Sequence, residues 1–214
     1  MDQMDPLGGD NSLNRWTDAI AAPTATPAGG SAAALASALA AALVMMVADL
    51  TTRREKYAAV HDHARNTLER AEALRRELLE LASYDAEAVA EYMEALRLPH
   101  GTEFERTARE AARRATLLEA ARVQLELLHE AVEVADLAEA MVGCGVATAI
   151  GDAATAAFLA AAAGRSAYWS IRSNLKSLGN PDENRPMLGT ARATLELVEE
   201  VEIRVRQLLD ERVG

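Results

Sequence analysis

Pro27-Ala28-Gly29-Gly30-Ser31-Ala32-Ala33-Ala34-Leu35 joins a rigid turn to an uncharged, alanine-rich run that continues through Met46, Val47 and Ala48. Proline fixes φ, and two glycines permit backbone approaches that a Cβ would block. Ser31 stands where a side-chain oxygen caps the free N–H groups of a helix starting there. A Gly-Gly-Ser entry also points backbone donors and the helix dipole outward together, which suits an anion. On local features a capped core helix with nothing bound accounts for the stretch as well. The run from Ser31 to Ala48 is long enough to span a bilayer, yet alanine drives insertion weakly and Asp49 closes it. Ala153 to Ala163 repeats this composition at a length too short to span. Two such segments read as central helices of a bundle, apolar on every side, with no membrane involved.

The rest of the chain agrees with an all-α class. Ala, Leu, Glu and Arg dominate its 214 residues, only 4% are aromatic, and no alternating strand pattern occurs. That length suits one domain with an ample core, residues 1–214, with 1–10 as a flexible leader. A net charge of -11 argues against nucleic acid, because phosphate binding needs clustered basic surface. Arg53, Arg54 and Lys56 form only a short basic group, read as a solvated helix end. The single cysteine, Cys144, excludes an internal disulfide framework and fits a reducing cytoplasm. The N-terminus Met1-Asp2-Gln3-Met4-Asp5 lacks the basic and apolar regions of a signal peptide.

Six helical segments follow from periodicity and punctuation. Residues 11–21 form a short leader ended before Pro23, and the apolar helix runs from Ser31 to Thr52. A long amphipathic helix spans 55–97, with Leu68, Leu74, Leu78, Leu81, Val89 and Met93 facing inward. Leu98-Pro99-His100-Gly101 breaks it, and Thr102 caps the next helix, which closes at Gly143 and Gly145. The alanine-rich stretch then runs from Ala147 to Leu178, and Gly179-Asn180-Pro181 turns the chain into a last helix opened by Asp182 or Asn184. Short connections imply antiparallel neighbours, hence an up-and-down bundle. Long helices with exposed alanine and leucine stripes complete such cores across a two-fold axis, so a homodimer is expected.

Polar groups in apolar settings point to the chemistry. Asp85 lies inside a long helix near apolar positions, where a carboxylate needs a partner or a role. Asp152 is the only charge between Glu139 and Arg165, and such isolation predicts a raised pKa suited to proton transfer. A helix-dipole partner is the alternative for Asp152. No metal is expected: His61-Asp62-His63 sets its imidazoles on different sides of a helix, and no Glu-x-x-His or His-Glu-x-x-His occurs. Nucleotide-binding glycine loops and the hydrolase Gly-x-Ser-x-Gly pattern are also missing.

Six blocks occur in a fixed order. They are Pro27-Ala28-Gly29-Gly30-Ser31-Ala32-Ala33-Ala34; Asp49-Leu50-Thr51 with Lys56-Tyr57; Asp85-Ala86-Glu87-Ala88; Arg97-Leu98-Pro99; Gly151-Asp152-Ala153; and Asn174-Leu175-Lys176. In this order the chain resembles the cyclodeaminase/cyclohydrolase family, from about Trp16 to beyond Leu178. The resemblance implies an all-helical homodimer acting on a reduced folate. The reactions are closure of 5-formimino-tetrahydrofolate to 5,10-methenyl-tetrahydrofolate with loss of ammonia, or interconversion of the methenyl and 10-formyl forms. It implies a proton shuttle with no metal or other cofactor. Asp85 matches the family's proton acceptor, and Asp152 would orient the pterin or stabilise cationic character. Gly29, Gly30 and Ser31 would offer donors to the ligand, and Arg97 would meet a folate carboxylate. Lys56, Tyr57, Asn174 and Lys176 would complete the pocket.

Departures from the family pattern are concentrated around the same blocks. Ala28 replaces a third glycine, and Arg97 and His100 stand where lysines are usual. Val123-Gln124-Leu125 replaces Val-Pro-Leu, Ser170 replaces an asparagine, and the stretch from Gly145 to Asp152 lacks two asparagines and a serine of the pattern. Arginine and lysine differ in geometry, and lost hydrogen-bonding side chains change what a pocket recognises. Two other functions therefore stand beside folate chemistry: the same scaffold acting on another small molecule, or a non-catalytic helical partner protein.

Overall fold

The alanine-rich and Leu/Glu/Arg-rich segments fold as their periodicity dictates. The structure is a computed structural model that describes residue 8 and residues 11–213; the expected flexible leader falls, Gly8 apart, outside the described residues. Six α-helices and no strand occur among the described residues: α1 (Leu13–Ala21), α2 (Gly29–Thr52), α3 (His61–Arg97), α4 (Glu103–Cys144), α5 (Ile150–Leu178) and α6 (Pro181–Val213). Consecutive long helices run antiparallel, and α4 packs against α2, α3, α5 and α6.

Several ends carry the expected chemistry. The Thr102 hydroxyl accepts from the Glu105 N–H, and the Glu105 carboxylate accepts from the Thr102 N–H, a reciprocal capping box. Gly179 ends α5 with φ 78°, a left-handed conformation that glycine adopts without strain. Other ends differ from expectation. α6 starts at Pro181, where a missing N–H costs nothing, rather than at Asp182 or Asn184. The helix expected from Glu55 instead opens with a 3-10 stretch, Glu55–Val60, in which Tyr57 leaves helical geometry at φ -107°, ψ 15°.

Small side chains let the helices approach closely. Ala40, Ala41, Val44, Val47 and Ala48 of α2 are fully buried, as are Ala153, Ala156, Ala157, Ala160 and Ala161 of α5. At Gly164 an added Cβ would come within 3.2 Å of Leu128 on α4 and 3.2 Å of Val198 on α6. α2 and the 147–178 segment are long and apolar enough to cross a membrane, and 56% of each such window is buried inside the bundle. Both serve as core helices here.

Leu74, Leu78 and Leu81 of α3 are buried as expected, whereas Leu68, Val89 and Met93 are half-buried. α6 is tied on by ion pairs: Arg165 to the buried Glu202 at 2.5 Å, and Arg204 to Glu139 at 2.8 Å.

Candidate active site

The first turn of α2 meets the middles of α3 and α4 at one point. Asp85 of α3 is buried, with 6% of its surface exposed. Its Oδ2 accepts from the Ser31 hydroxyl at 2.8 Å, and its Oδ1 accepts from the Gln124 amide Nε2 at 2.6 Å. A carboxylate accepts only, so the amide must turn its nitrogen toward Asp85. That orientation leaves Gln124 Oε1 buried with no hydrogen-bond partner. Nearby, the Thr26 hydroxyl donates to the Ala86 carbonyl at 3.1 Å, which ties the 22–28 connection to α3.

Gly30 makes this packing possible. A Cβ there would lie 2.2 Å from Asp85 Oδ1 and 2.2 Å from Gln124 Nε2, closer than any real contact. At Gly29, which is exposed, a Cβ would meet nothing within 4 Å. The two glycines therefore have different reasons to be there. Ser31 also differs from expectation. The helix begins two residues earlier, with Ala28 at the cap position, and the Ser31 hydroxyl donates to Asp85 instead of accepting from the backbone.

The other expected site residues lie elsewhere in the single chain. Tyr57 accepts from the Ala147 N–H at 3.0 Å, and Lys56 sits 5.8 Å from the Tyr57 ring centroid. Beside them the buried Thr51 hydroxyl accepts from the Val146 N–H at 3.0 Å. Gly145 closes this corner: a Cβ there would stand 2.5 Å from the Met141 carbonyl oxygen and 3.1 Å from Val47. Asp152 follows in the first turn of α5 and is exposed, so the apolar enclosure expected from its isolation in sequence is not there in one chain. The reason is rotational, because the core face of this turn is taken by Ile150, Ala153 and Ala154.

Ser31 and Thr51 are twenty residues apart on α2, so these two corners are separated by roughly 30 Å. Arg97 and Lys176 lie toward the opposite end from Tyr57. Arg97 is exposed on the last turn of α3 and pairs with Glu94. Lys176 is exposed and Asn174 half-buried on α5. Lys176 borders an open groove of about 550 Å³ that also includes Trp169, Arg172, Asn180 and Asn184. The Arg172 guanidinium stacks 4.6 Å from the Trp169 ring centroid. The single chain thus unites Gly30, Ser31 and Asp85, and distributes Lys56, Tyr57, Asp152, Arg97, Asn174 and Lys176 among other places.

Gln124 and Glu130 are among the buried polar residues that escaped the sequence reading. Gln124 stood out only as a departure from a pattern, although an amide flanked by Val123, Leu125, Leu127 and Leu128 was a signal. Glu130, also on α4, is buried, and one carboxylate oxygen has no partner. Desolvation, reinforced by Glu77 and Glu126, pushes its pKa up to about 8. Among the described residues no group of three His, Cys, Asp or Glu is arranged to hold a metal ion. Cys144 is a half-buried free thiol whose pKa burial raises.

Known proteins resemble this chain in sequence and in the arrangement of its helices. The sequence model described as formiminotransferase-cyclodeaminase matches residues 12–193. The methenyltetrahydrofolate cyclohydrolase of Methylorubrum extorquens is 37% identical over 172 residues, 80% of this chain and 83% of that protein. Mouse formimidoyltransferase-cyclodeaminase is 31% identical over 169 residues, 79% of this chain but only 31% of the mouse protein. The crystal structure of formiminotetrahydrofolate cyclodeaminase from Thermotoga maritima superposes with a TM-score of 0.86 at 26% identity, over 96% of this chain and 98% of that one.

Proposed function

The chain belongs to the formiminotransferase-cyclodeaminase family, and on that premise we propose that Asp85 is the proton-transfer group of its reaction. It is an enzyme of the cyclodeaminase or cyclohydrolase type, working on a one-carbon reduced folate. The observation that supports the role of Asp85 is its position: a buried carboxylate held from two sides by Ser31 and Gln124, at the entry of an alanine-rich helix.

Both reactions pass through a tetrahedral carbon between two folate nitrogens. In the deaminating direction N10 attacks the formimino carbon, and Asp85 takes the N10 proton. With the formimino group entering as its protonated amidinium, the same proton then goes to the departing nitrogen as its bond to carbon breaks, which releases ammonia and leaves the cationic methenyl product. In the hydrolytic direction water attacks the methenyl carbon, Asp85 takes its proton and returns it to N5 as that bond to carbon breaks, and the hydroxyl proton passes to solvent as the formyl carbonyl forms. Proton transfers alone balance either sequence, so no metal or redox cofactor enters the proposal. A positioned acid or base contributes about 100-fold to 10,000-fold in rate. The first-turn N–H groups of α2 direct positive potential at the carboxylate and at any carbonyl placed there.

Dimerisation accounts for the dispersed residues. α2 leaves an apolar stripe uncovered, with Leu39 54% and Met46 39% exposed and Leu35 and Leu43 half-buried. Such a stripe on a helix this apolar fits a second copy of the chain. A two-fold pairing with α2 antiparallel to its copy carries the Lys56, Tyr57 and Asp152 corner of one protomer toward the Asp85 corner of the other. Each protomer then supplies Asp85, and its partner supplies groups that orient the pterin. The lone half-buried thiol and the reduced substrate fit a cytoplasmic setting, free of membrane and nucleic acid.

A thermal-shift titration with 5-formyl-tetrahydrofolate tests the folate site. Binding at one hundred times the dissociation constant adds about 2.7 kcal/mol of stability, so a saturable rise in melting temperature is expected. A flat response at high ligand concentration would overturn the reading.

A further inference from the structure

α4 ends on carbonyls that its own sequence does not satisfy. A helix continuing past Cys144 would bond the Val142 carbonyl to the Val146 N–H and the Gly143 carbonyl to the Ala147 N–H. Those two N–H groups go elsewhere, to the Thr51 hydroxyl and the Tyr57 phenol, each at 3.0 Å. No basic residue occupies the last turn of α4, where a cation would suit the helix dipole. Arg212, in the last turn of α6, meets both needs from 70 residues away. Its Nη1 donates to the Val142 carbonyl, and its Nη2 lies 3.5 Å from the Gly145 carbonyl. The charge is felt at the neighbouring thiol: burial raises the pKa of Cys144, and Arg212 opposes that rise. The turn after α4 is therefore gripped on two sides, by Thr51 and Tyr57 at its N–H groups and by Arg212 at the carbonyls. Val146, Ala147, Ala149 and Ile150 have no side-chain hydrogen-bonding group with which to hold it themselves.

We propose that Arg212 is a positioning residue, which fixes the turn between α4 and α5 and through it the placement of Asp152 toward the ligand. The proposal rests on the reading of Lys56, Tyr57 and Asp152 as a corner that orients the pterin. Val146, Ala149 and Ile150 are buried, so a shift of the turn is passed through close packing to the first turn of α5, where Asp152 stands. Arg212 lies beyond residues 12–193, which the family's sequence model matches. This chain thus braces the corner with a residue outside the shared pattern.

The test compares Arg212→Ala, Arg212→Lys and Arg204→Ala with the native chain. Arg204 is the control, because it ties the same helix to Glu139 and Asp136, which lie before the turn on α4. Amide hydrogen exchange, read without ligand, should quicken at Val146 and Ala147 by at least about tenfold in Arg212→Ala and stay native in Arg204→Ala. In closure of 5-formimino-tetrahydrofolate, Arg212→Ala should raise KM by about tenfold with a smaller fall in kcat, because a misplaced orienting group weakens binding before chemistry. Arg212→Lys should recover part of that loss, since an ammonium meets one carbonyl where the guanidinium fork meets two. Unchanged exchange at Val146 and Ala147 overturns the brace and leaves the role of Asp85 standing. Quickened exchange with a native KM overturns the link from the turn to the ligand. An equal rise of KM in the two alanine variants overturns it as well, since loosening α6 would then be enough. A native chain that closes no folate overturns the folate reading on which the proposal rests, whatever the exchange shows.

Discussion

The two ends of α2 solve different problems with similar residues. At the Ser31 end, Ser31 and Gln124 both donate to Asp85 in a cluster buried among three helices, and Gly30 admits no larger residue. At the Thr51 end, Thr51 and Tyr57 each accept from a backbone N–H of the turn at Val146 and Ala147, while Asp152 and Lys56 stay exposed. The first end is organised by the fold of one chain. The second is a shaped surface with charged groups left open, which suits contact with a ligand or a second protomer. Burial, more than residue type, distinguishes a group preorganised for proton transfer from one waiting for a partner.

The sharpest way to break this contrast is a pair of glycine substitutions. Gly30→Ala forces its Cβ against the Asp85–Gln124 pair and is expected to destabilise by about 1–3 kcal/mol, as overpacking does. Turnover should fall by roughly 100-fold, the scale of a displaced acid–base group. Gly29→Ala should stay within about 0.5 kcal/mol of the native chain, because its Cβ enters open space. Denaturant unfolding and turnover of both variants check this, and equal behaviour would erase the distinction between the two glycines.

Subunit mixing sharpens the other half of the comparison. Asp85→Asn and Asp152→Ala damage the corners at opposite ends of α2, so under the proposed two-fold pairing a hybrid dimer contains one site with neither lesion. Activity of the refolded mixture should exceed that of either parent alone. No gain on mixing contradicts a site built from two protomers.

A smaller effect concerns Glu130, whose folded pKa of about 8 lies above the ordinary glutamate value of 4.5. The folded state holds this proton more tightly than the unfolded state. That stabilisation is fully present below about pH 4.5 and is lost as pH rises toward 8. Glu130→Gln should therefore flatten the fall in stability over this range and raise it by about 1–3 kcal/mol at pH 8. Melting curves at pH 5 and pH 8 would show it, and parallel pH dependence in the two proteins would rule it out.

A smaller loss is expected at Tyr57. Tyr57→Phe removes one acceptor for the Ala147 N–H and should lower stability by about 0.5–1.5 kcal/mol, with KM rising more than kcat falls. A fall in kcat alone would instead place this phenol in the chemistry.

Much of the architecture was legible in the chain. Thr102 with Glu105, Gly179 before Pro181 and the alanine runs of α2 and α5 are local signals, and each folded accordingly. Asp85 was legible for a related reason, since a carboxylate among apolar neighbours on a periodic helix has few innocent explanations. Its partnership with Gln124 was not, because a pair 39 residues apart leaves no periodic trace. Asp152 misled because isolation in sequence says nothing of rotation about the helix axis, and one position either way decides burial. Tyr57 broke the expected long helix through a contact with the distant Ala147 backbone, which no local propensity contains.

The most direct measurement is single-turnover closure of 5-formimino-tetrahydrofolate by Asp85→Asn beside the native chain, with melting temperatures recorded for both. Asparagine keeps the shape of Asp85 but not its capacity to take a proton, so the chemical step should slow at least about 100-fold in a folded protein. A folded Asp85→Asn that closes the ring at the native rate would contradict the account.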